Sequence, residues 1–229
     1  MSDQVPMRER ILVEAARLFA RVGYRAASTR DIAAAVGVRQ PSLFHHFPSK
    51  ASILSELLAY SYGPTVRTCE HLAALPGPAA PRLYAYVSWD LTYIHRSPYD
   101  LHGLHTDEVL GDPAFAASET LAERLHAGLR RIVAQGAESG EFVVVEPRLA
   151  QEMITGVLLA NIRVRQEGWA GGPERAGELA EAGASFVLRG LLPGGDRAYA
   201  AVRDAGRALW PALEWPAGAP RSGRPVQSA

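Results

Sequence analysis

Arg39-Gln40-Pro41-Ser42, followed by Phe44-His45-His46 and then Lys50, is a run of side chains suited to the edges and phosphates of a nucleic-acid duplex. The carboxamide of Gln40 sets a donor beside an acceptor, the pairing that matches N7 and N6 of adenine. Pro41 offers an apolar surface for a thymine methyl, and Arg39 suits either guanine or a phosphate. Ser42, His45, His46 and Lys50 fit the sugar-phosphate backbone, where contacts fix register without reading sequence. Upstream, Thr29 and Arg30 open a short helix whose first amides can hold a phosphate. These groups act together only if a rigid frame presents them to one groove.

The flanking residues supply such a frame. Ser28 is a good helix N-cap, and Asp31 three residues on completes a capping box. Ile32, Ala33 and Val36 then make one apolar face, and Gly37 takes the position after the helix end that favours a left-handed backbone. A second short helix is expected from about residue 40 to 46, with Pro41 tolerated in its first turn. Pro48-Ser49 ends it, and Ser49 can cap a further helix starting at Lys50. Before all this, residues 6–22 carry Ile11, Ala15, Leu18, Phe19 and Val22 on one helical stripe, and Gly23 ends that helix. Two short helices with a glycine turn between them form a helix-turn-helix, whose second helix enters the major groove. Leu18, Phe19, Ile32, Val36, Leu43 and Phe47 are its expected core.

Thr29-x-x-Ile32-Ala33-x-x-x-Gly37-Val38, then Gln40-Pro41-Ser42-Leu43-Phe44, then His46-Phe47-x-x-Lys50 resembles the DNA-binding domain of the TetR family of bacterial transcriptional regulators. The resemblance covers roughly residues 8–55. It departs from the family at two places. Phe44 stands where tyrosine is usual and lacks a phosphate-binding hydroxyl, and Arg39 stands where serine or threonine often caps the recognition helix. The resemblance implies a homodimer, formed through helices near residues 147–166 and 173–192, and Gly140-Glu-Phe…Glu-Pro-Arg-Leu-Ala150 resembles the usual lead-in to that pair.

The charge distribution agrees with a DNA-binding head. Residues 1–50 hold eight Arg/Lys against four Asp/Glu, whereas residues 51–229 hold sixteen against twenty, so a net charge of zero hides a basic head on an acidic body. Forty-eight per cent hydrophobic and 21% charged is ordinary for a soluble globular chain. No apolar run approaches the roughly 18 residues of a membrane span, and the N-terminus lacks a signal-peptide core, so the cytoplasm is expected and no membrane partner. Cys69 stands alone and reads as a small buried hydrophobe.

The rest of the chain reads as helices. Ile53, Leu54, Leu57 and Leu58 mark a helix from Lys50 to about residue 75, which Gly63-Pro64 is expected to kink or interrupt. Pro76-Gly-Pro-Ala-Ala-Pro81 is the best internal linker. The helix over 81–95 has two apolar faces, Tyr84-Val87-Leu91-Ile94 and Tyr86-Trp89-Tyr93, so it is expected at the centre of the body. The aromatic face, with Asp90 and Thr92 as polar groups, is either core or the wall of a ligand pocket. His102, Phe115 and Met153 complete the candidate pocket. Ser97-Pro98 is expected to start a short helix. His102 and His105 share zinc-like spacing, with His95 and Asp107 nearby in sequence, yet no clustered third ligand follows, so neither metal nor cofactor is assigned. Long helices follow over 113–139, 147–166 and 173–192, the last two rich in small residues, with an extended connector at 141–146 and a further helix over 196–210.

The reading is an all-α protein with three parts. Residues 1–50 form a three-helix helix-turn-helix head, 51–210 a larger helical effector-binding and dimerisation domain, and 211–229 a disordered tail. The expected function is a ligand-responsive DNA-binding regulator, a repressor released from a palindromic double-stranded operator by a small apolar or aromatic effector. An architectural DNA binder without an effector is the alternative. A helical enzyme ranks lower, because the chain has no nucleophile elbow, Gly-rich phosphate loop or metal-ligand array, and no catalytic residue is assigned.

Overall fold

The computed structural model describes residues 5–168 and 171–216. Ten α-helices run through them: α1 Met7–Val22, α2 Thr29–Ala35, α3 Gln40–His46, α4 Lys50–Ala74, α5 Ala79–Arg96, α6 Asp107–Leu110, α7 Ala116–Glu138, α8 Pro147–Glu167, α9 Ala176–Leu191 and α10 Gly195–Arg207. The described residues contain no strand, and the 141–146 segment is the expected extended connector. No helix among them is long and apolar enough to cross a membrane.

The chain divides into two compact units at boundaries other than those expected from sequence. One unit combines the segment up to Gly63 with Ser97–Thr120; the other combines Pro64–Arg96 with the segment from Leu121 on. Both α4 and α7 therefore contribute to each unit. Pro64 does not break α4, which continues as one helix with that proline inside it.

In the first unit, Ile11, Ala15 and Phe19 of α1 are buried with Ile32, Val36, Leu43, Phe47 and the α4 residues Ile53, Leu54, Leu57 and Leu58. Burying each large apolar side chain contributes about 1.5–3 kcal/mol, so this set is the core that holds the short helices. Val22, expected on the α1 stripe, is instead 45% exposed, since the helix ends there and Gly23 turns the chain with φ at +83°. The expected helix at Ser97-Pro98 is replaced by irregular chain and a 3-10 turn at His102–Leu104, with Leu101 and Leu104 still buried. The reason for the tight turn lies at Gly103, where a Cβ would stand 2.5 Å from the Phe19 carbonyl carbon and 2.6 Å from the Ala20 nitrogen. His105, next in line, meets Ser61 Oγ at 3.0 Å through Nε2 and Tyr62 Oη at 3.1 Å through Nδ1. Burial holds its pKa down to about 4, so the ring is neutral, and both nitrogens meet hydroxyls of α4.

The second unit is built on α5. Residues 82–96 are all buried, as two apolar faces require, and α9 and α10 pack directly on it. Three polar devices fix its ends and sides. Arg82 donates to the carbonyls of Leu72, Ala73, Gly77 and Pro78 and to Gln135 Oε1, which completes the C-terminus of α4. Glu141 accepts from the Ala79 and Ala80 amides at 2.9 Å and thereby caps the N-terminus of α5. Glu181 accepts from Tyr84 and Tyr199, both at 2.5 Å, and from Arg207, tying α5, α9 and α10 together. The Gly140-Glu141-Phe142 lead-in thus has a structural meaning. Gly140 turns the chain at φ +76°, Glu141 caps α5, and Phe142 fills the space a Cβ on Gly136 would occupy.

Of residues 211–216, assigned from sequence to a loose tail, Trp215 packs back on the body, next to Trp210 just before them. The Trp210 indole donates to Ser88 Oγ at 3.1 Å, and Trp215 lies edge-on to Trp89 and Tyr93 at 5.6 and 6.0 Å between ring centres. The remainder of the expected tail lies outside the described residues.

Candidate DNA-binding surface and effector helix

The helix-turn-helix forms through local bonds that the sequence specifies. The Asp31 amide donates to Ser28 Oγ at 3.1 Å, and the Ser28 hydroxyl donates to Asp31 Oδ2 at 2.6 Å. Gly37 takes φ +74°, and the Val38 amide closes onto the Ala33 carbonyl. Arg10 reaches the Val36 carbonyl at 2.9 Å and covers the end of α2. In α3 only Leu43 is fully buried, and that single anchor turns Pro41, Ser42, His45 and His46 outward, with Phe44 43% exposed. Arg39 occupies the N-cap with extended backbone and makes no side-chain cap bond, so its guanidinium remains at the surface. Arg30 is likewise exposed.

Two residues of the expected surface have duties not evident from sequence. Gln40 donates one Nε2 hydrogen to Thr29 Oγ1 at 2.8 Å, which leaves its second N–H and its carbonyl oxygen for a base edge. Thr29 therefore orients the Gln40 carboxamide through its side chain. Lys50, expected at a phosphate, places its ammonium on the carbonyls of Tyr24 at 2.7 Å, Arg25 at 3.2 Å and Ala27 at 2.7 Å, and over the Tyr24 ring at 4.4 Å. All three of its hydrogens are used. Desolvation holds its pKa below the ordinary lysine value, while Glu108 opposes that shift. Lys50 is a clamp on the loop before α2.

These contacts separate two substitutions. Gln40→Ala should cost about 1–3 kcal/mol at the cognate site and relax preference at one base pair. Lys50→Ala should lower the melting temperature of the protein and leave the salt slope of DNA binding unchanged, in contrast to the unit-sized drop that loss of a phosphate contact gives. A flattened salt slope with unaltered stability would return Lys50 to the phosphate backbone.

The residues proposed from sequence as an effector pocket are not assembled as a set. Tyr86, Trp89, Asp90 and Tyr93 lie within two turns of α5, all at most 4% exposed. Met153 is 63% exposed on α8, where it lines an apolar groove with residues of α9. Phe115 packs edge-on against Tyr24 at 5.5 Å inside the first unit. His102 belongs to that unit too, in the 3-10 turn. On α5, Trp89 and Tyr93 stack at 5.4 Å with 13° between their planes. Trp89 Nε1 is buried without a hydrogen-bond partner, and the equally buried Tyr86 hydroxyl interacts with the Asp90 carboxyl. Burial raises the Asp90 carboxyl to about 7, with Tyr86 lowering it less strongly. Trp215 was missed as part of this cluster. Leu209, Trp210, Leu213 and Trp215 carried the signal, since a solvent-exposed tail has no use for two tryptophans.

An all-helical chain with a presented recognition helix defines a helix-turn-helix DNA-binding protein. The model described as "Bacterial regulatory proteins, tetR family" matches residues 11–57. PfmR, a TetR family transcriptional regulator from Thermus thermophilus, is 31% identical, with 83% of this chain aligned to 100% of that one at a TM-score of 0.61. AmtR of Mycobacterium smegmatis is 32% identical, over 94% of this chain and 99% of that one, at a TM-score of 0.74. The repressor KstR2 of Rhodococcus jostii is 51% identical over 51 residues, 22% of this chain, and the match spans only a quarter of that relative's length. The chain belongs to the TetR family of transcriptional regulators.

Proposed function

We propose that the protein is a homodimeric repressor that holds a palindromic operator through two copies of α3 and releases it when a small molecule binds beside α5. The observation that carries this reading is the pair of faces left unfinished in one chain. On α8 and α9, Leu149, Met153, Leu159 and Phe186 are 50%, 63%, 43% and 72% exposed. Met153 and Phe186 line an apolar groove of about 540 Å³ together with Val143, Val145, Ile154 and Val187 among others. Exposed apolar side chains in such number mark an interface, and a twofold dimer is the common solution. A closed twofold dimer presents both recognition helices alike, which calls for a symmetric operator. On α5, the buried polar groups of Tyr86, Trp89 and Asp90 sit among stacked aromatic rings, residue types that suit a ligand.

α4 and α7 both belong to the two units, and because α4 starts at Lys50, directly after the recognition helix, it is the lever in this reading through which ligand binding reaches that helix. A hundredfold loss of operator affinity requires about 2.7 kcal/mol of coupling, and DNA must weaken ligand binding by the same factor. Trp89→Ala tests the assignment. In an anisotropy titration against a panel of small aromatic and alicyclic compounds, the variant should bind operator normally and resist release by compounds that displace the parent. Release indistinguishable from the parent would put the effector elsewhere.

A further inference from the structure

Pro64, Arg67, Thr68 and His71 of α4 fall at the i, i+3, i+4, i+7 spacing that puts side chains on one face of a helix. Such a face is ordinarily apolar where another part of the chain covers it. This one carries a guanidinium, a hydroxyl and an imidazole. Over it lies the segment 212–216, and between the two stands a cavity of about 290 Å³. Leu213 and Glu214 line it from the second wall. That wall is held on both sides. The Trp210 indole donates to Ser88 Oγ at 3.1 Å, and Trp215 lies edge-on to Trp89 and Tyr93.

Charges of both signs line this one cavity without meeting. Among the described residues, Arg67 and Glu214 make no ion pair, either with each other or with another group. Thr68 is 5% exposed, and its hydroxyl makes no hydrogen bond among the described residues. A guanidinium presents a planar fork of donors that matches a carboxylate, and a hydroxyl beside it adds one more. Across the cavity, the Glu214 carboxylate can accept from an ammonium. Pro64 and Leu213 are apolar. An anion alone would satisfy Arg67 and face Glu214 with like charge. A cation alone would satisfy Glu214 and be opposed by Arg67. A molecule carrying both charges meets both walls, and a cavity at the lower end of the size range of ligand pockets keeps it small.

We infer that this cleft binds a small α-amino acid as its zwitterion, with the carboxylate on Arg67 and the Thr68 hydroxyl, the ammonium on Glu214, and an apolar side chain against Pro64 and Leu213. His71, one turn along from Arg67, is a further donor to the carboxylate. The site is separate from the α5 cluster assigned to the effector. Its ligand bridges α4 and the C-terminal segment within one unit.

Calorimetric titration of the full chain at neutral pH with L-leucine, 4-methylpentanoate and 3-methylbutylamine tests this. The three probes share an isobutyl body and carry, in turn, both charges, the carboxylate alone and the ammonium alone. The parent should bind leucine at least about tenfold more tightly than either of the others, equivalent to about 1.4 kcal/mol. Glu214→Gln should bring leucine down to the affinity of 4-methylpentanoate without weakening 4-methylpentanoate itself. Arg67→Gln should bring leucine down to the affinity of 3-methylbutylamine. Both side chains are exposed, so the core is untouched, and an unchanged circular dichroism spectrum checks this. No binding of leucine, equal affinities for the three probes, or a preference for leucine that survives either substitution would each overturn the zwitterion site. Those results leave the effector reading of α5 standing, since operator release from Trp89→Ala decides that one.

Discussion

Phe186→Asp should turn the protein into a folded monomer and reduce operator affinity by about a hundredfold or more. The side chain is 72% exposed on α9 at an apolar groove, so its replacement leaves the core of the chain untouched. In the proposed dimer, two carboxylates would instead be buried in an apolar contact without partners, a large penalty. The loss at the operator follows from geometry. When one α3 is bound, the other is held close to its half-site, and such linkage adds about 10²–10⁴ in overall affinity without any new contact. A monomer forfeits that factor and keeps only half-site binding. Sedimentation should show a single chain, with far-UV circular dichroism unchanged. A variant that remained dimeric would move the interface away from α8 and α9.

The second large effect is steric. Gly103→Ala should destabilise the protein by about 3 kcal/mol, at the upper end of what overpacking costs. Its Cβ would lie 2.5–2.7 Å from three backbone atoms of Phe19 and Ala20, and backbone cannot swing aside as a side-chain tip can. Because the contact lies at the end of α1, whose Phe19 is in the core of the head, operator binding should fall with stability. Gly177→Ala is the control. Nothing lies within 4 Å of a Cβ there, and in a helix the change should stabilise by up to about 1 kcal/mol. Chemical denaturation of both variants measures the difference. Equal midpoints would mean that the 3-10 turn yields easily and that Gly103 is there for another reason.

The parts of this architecture legible in the sequence are those set by neighbours along the chain. The Ser28–Asp31 box, the left-handed Gly37 and the lone buried Leu43 of α3 are local, so the helix-turn-helix could be read before any packing was known. The central place of α5 followed from its two apolar faces. What was hidden depends on distant partners. Lys50 reads as a phosphate anchor until the carbonyls of residues 24–27 turn out to occupy it. Met153 reads the same whether a stripe is covered by its own chain or left for another. Proline at 211 and 216 reads as loose chain, although Trp215 between them is fixed on Trp89 and Tyr93. Pro64 shows the converse. Its local preference says kink or interrupt, and of the two the interruption is absent, since α4 continues through it.

DNA recognition by a symmetric pair of α3 helices is the central claim, and footprinting of the protein on its own best binding site, obtained by selection from random duplexes, tests it most directly. The account predicts a twofold-symmetric protected site whose half-sites are centred at least one helical turn apart, about 34 Å or more. It further predicts that Gln40→Ala loosens the same base pair in both halves. Protection of one asymmetric half-site, bound by a single chain, would contradict it.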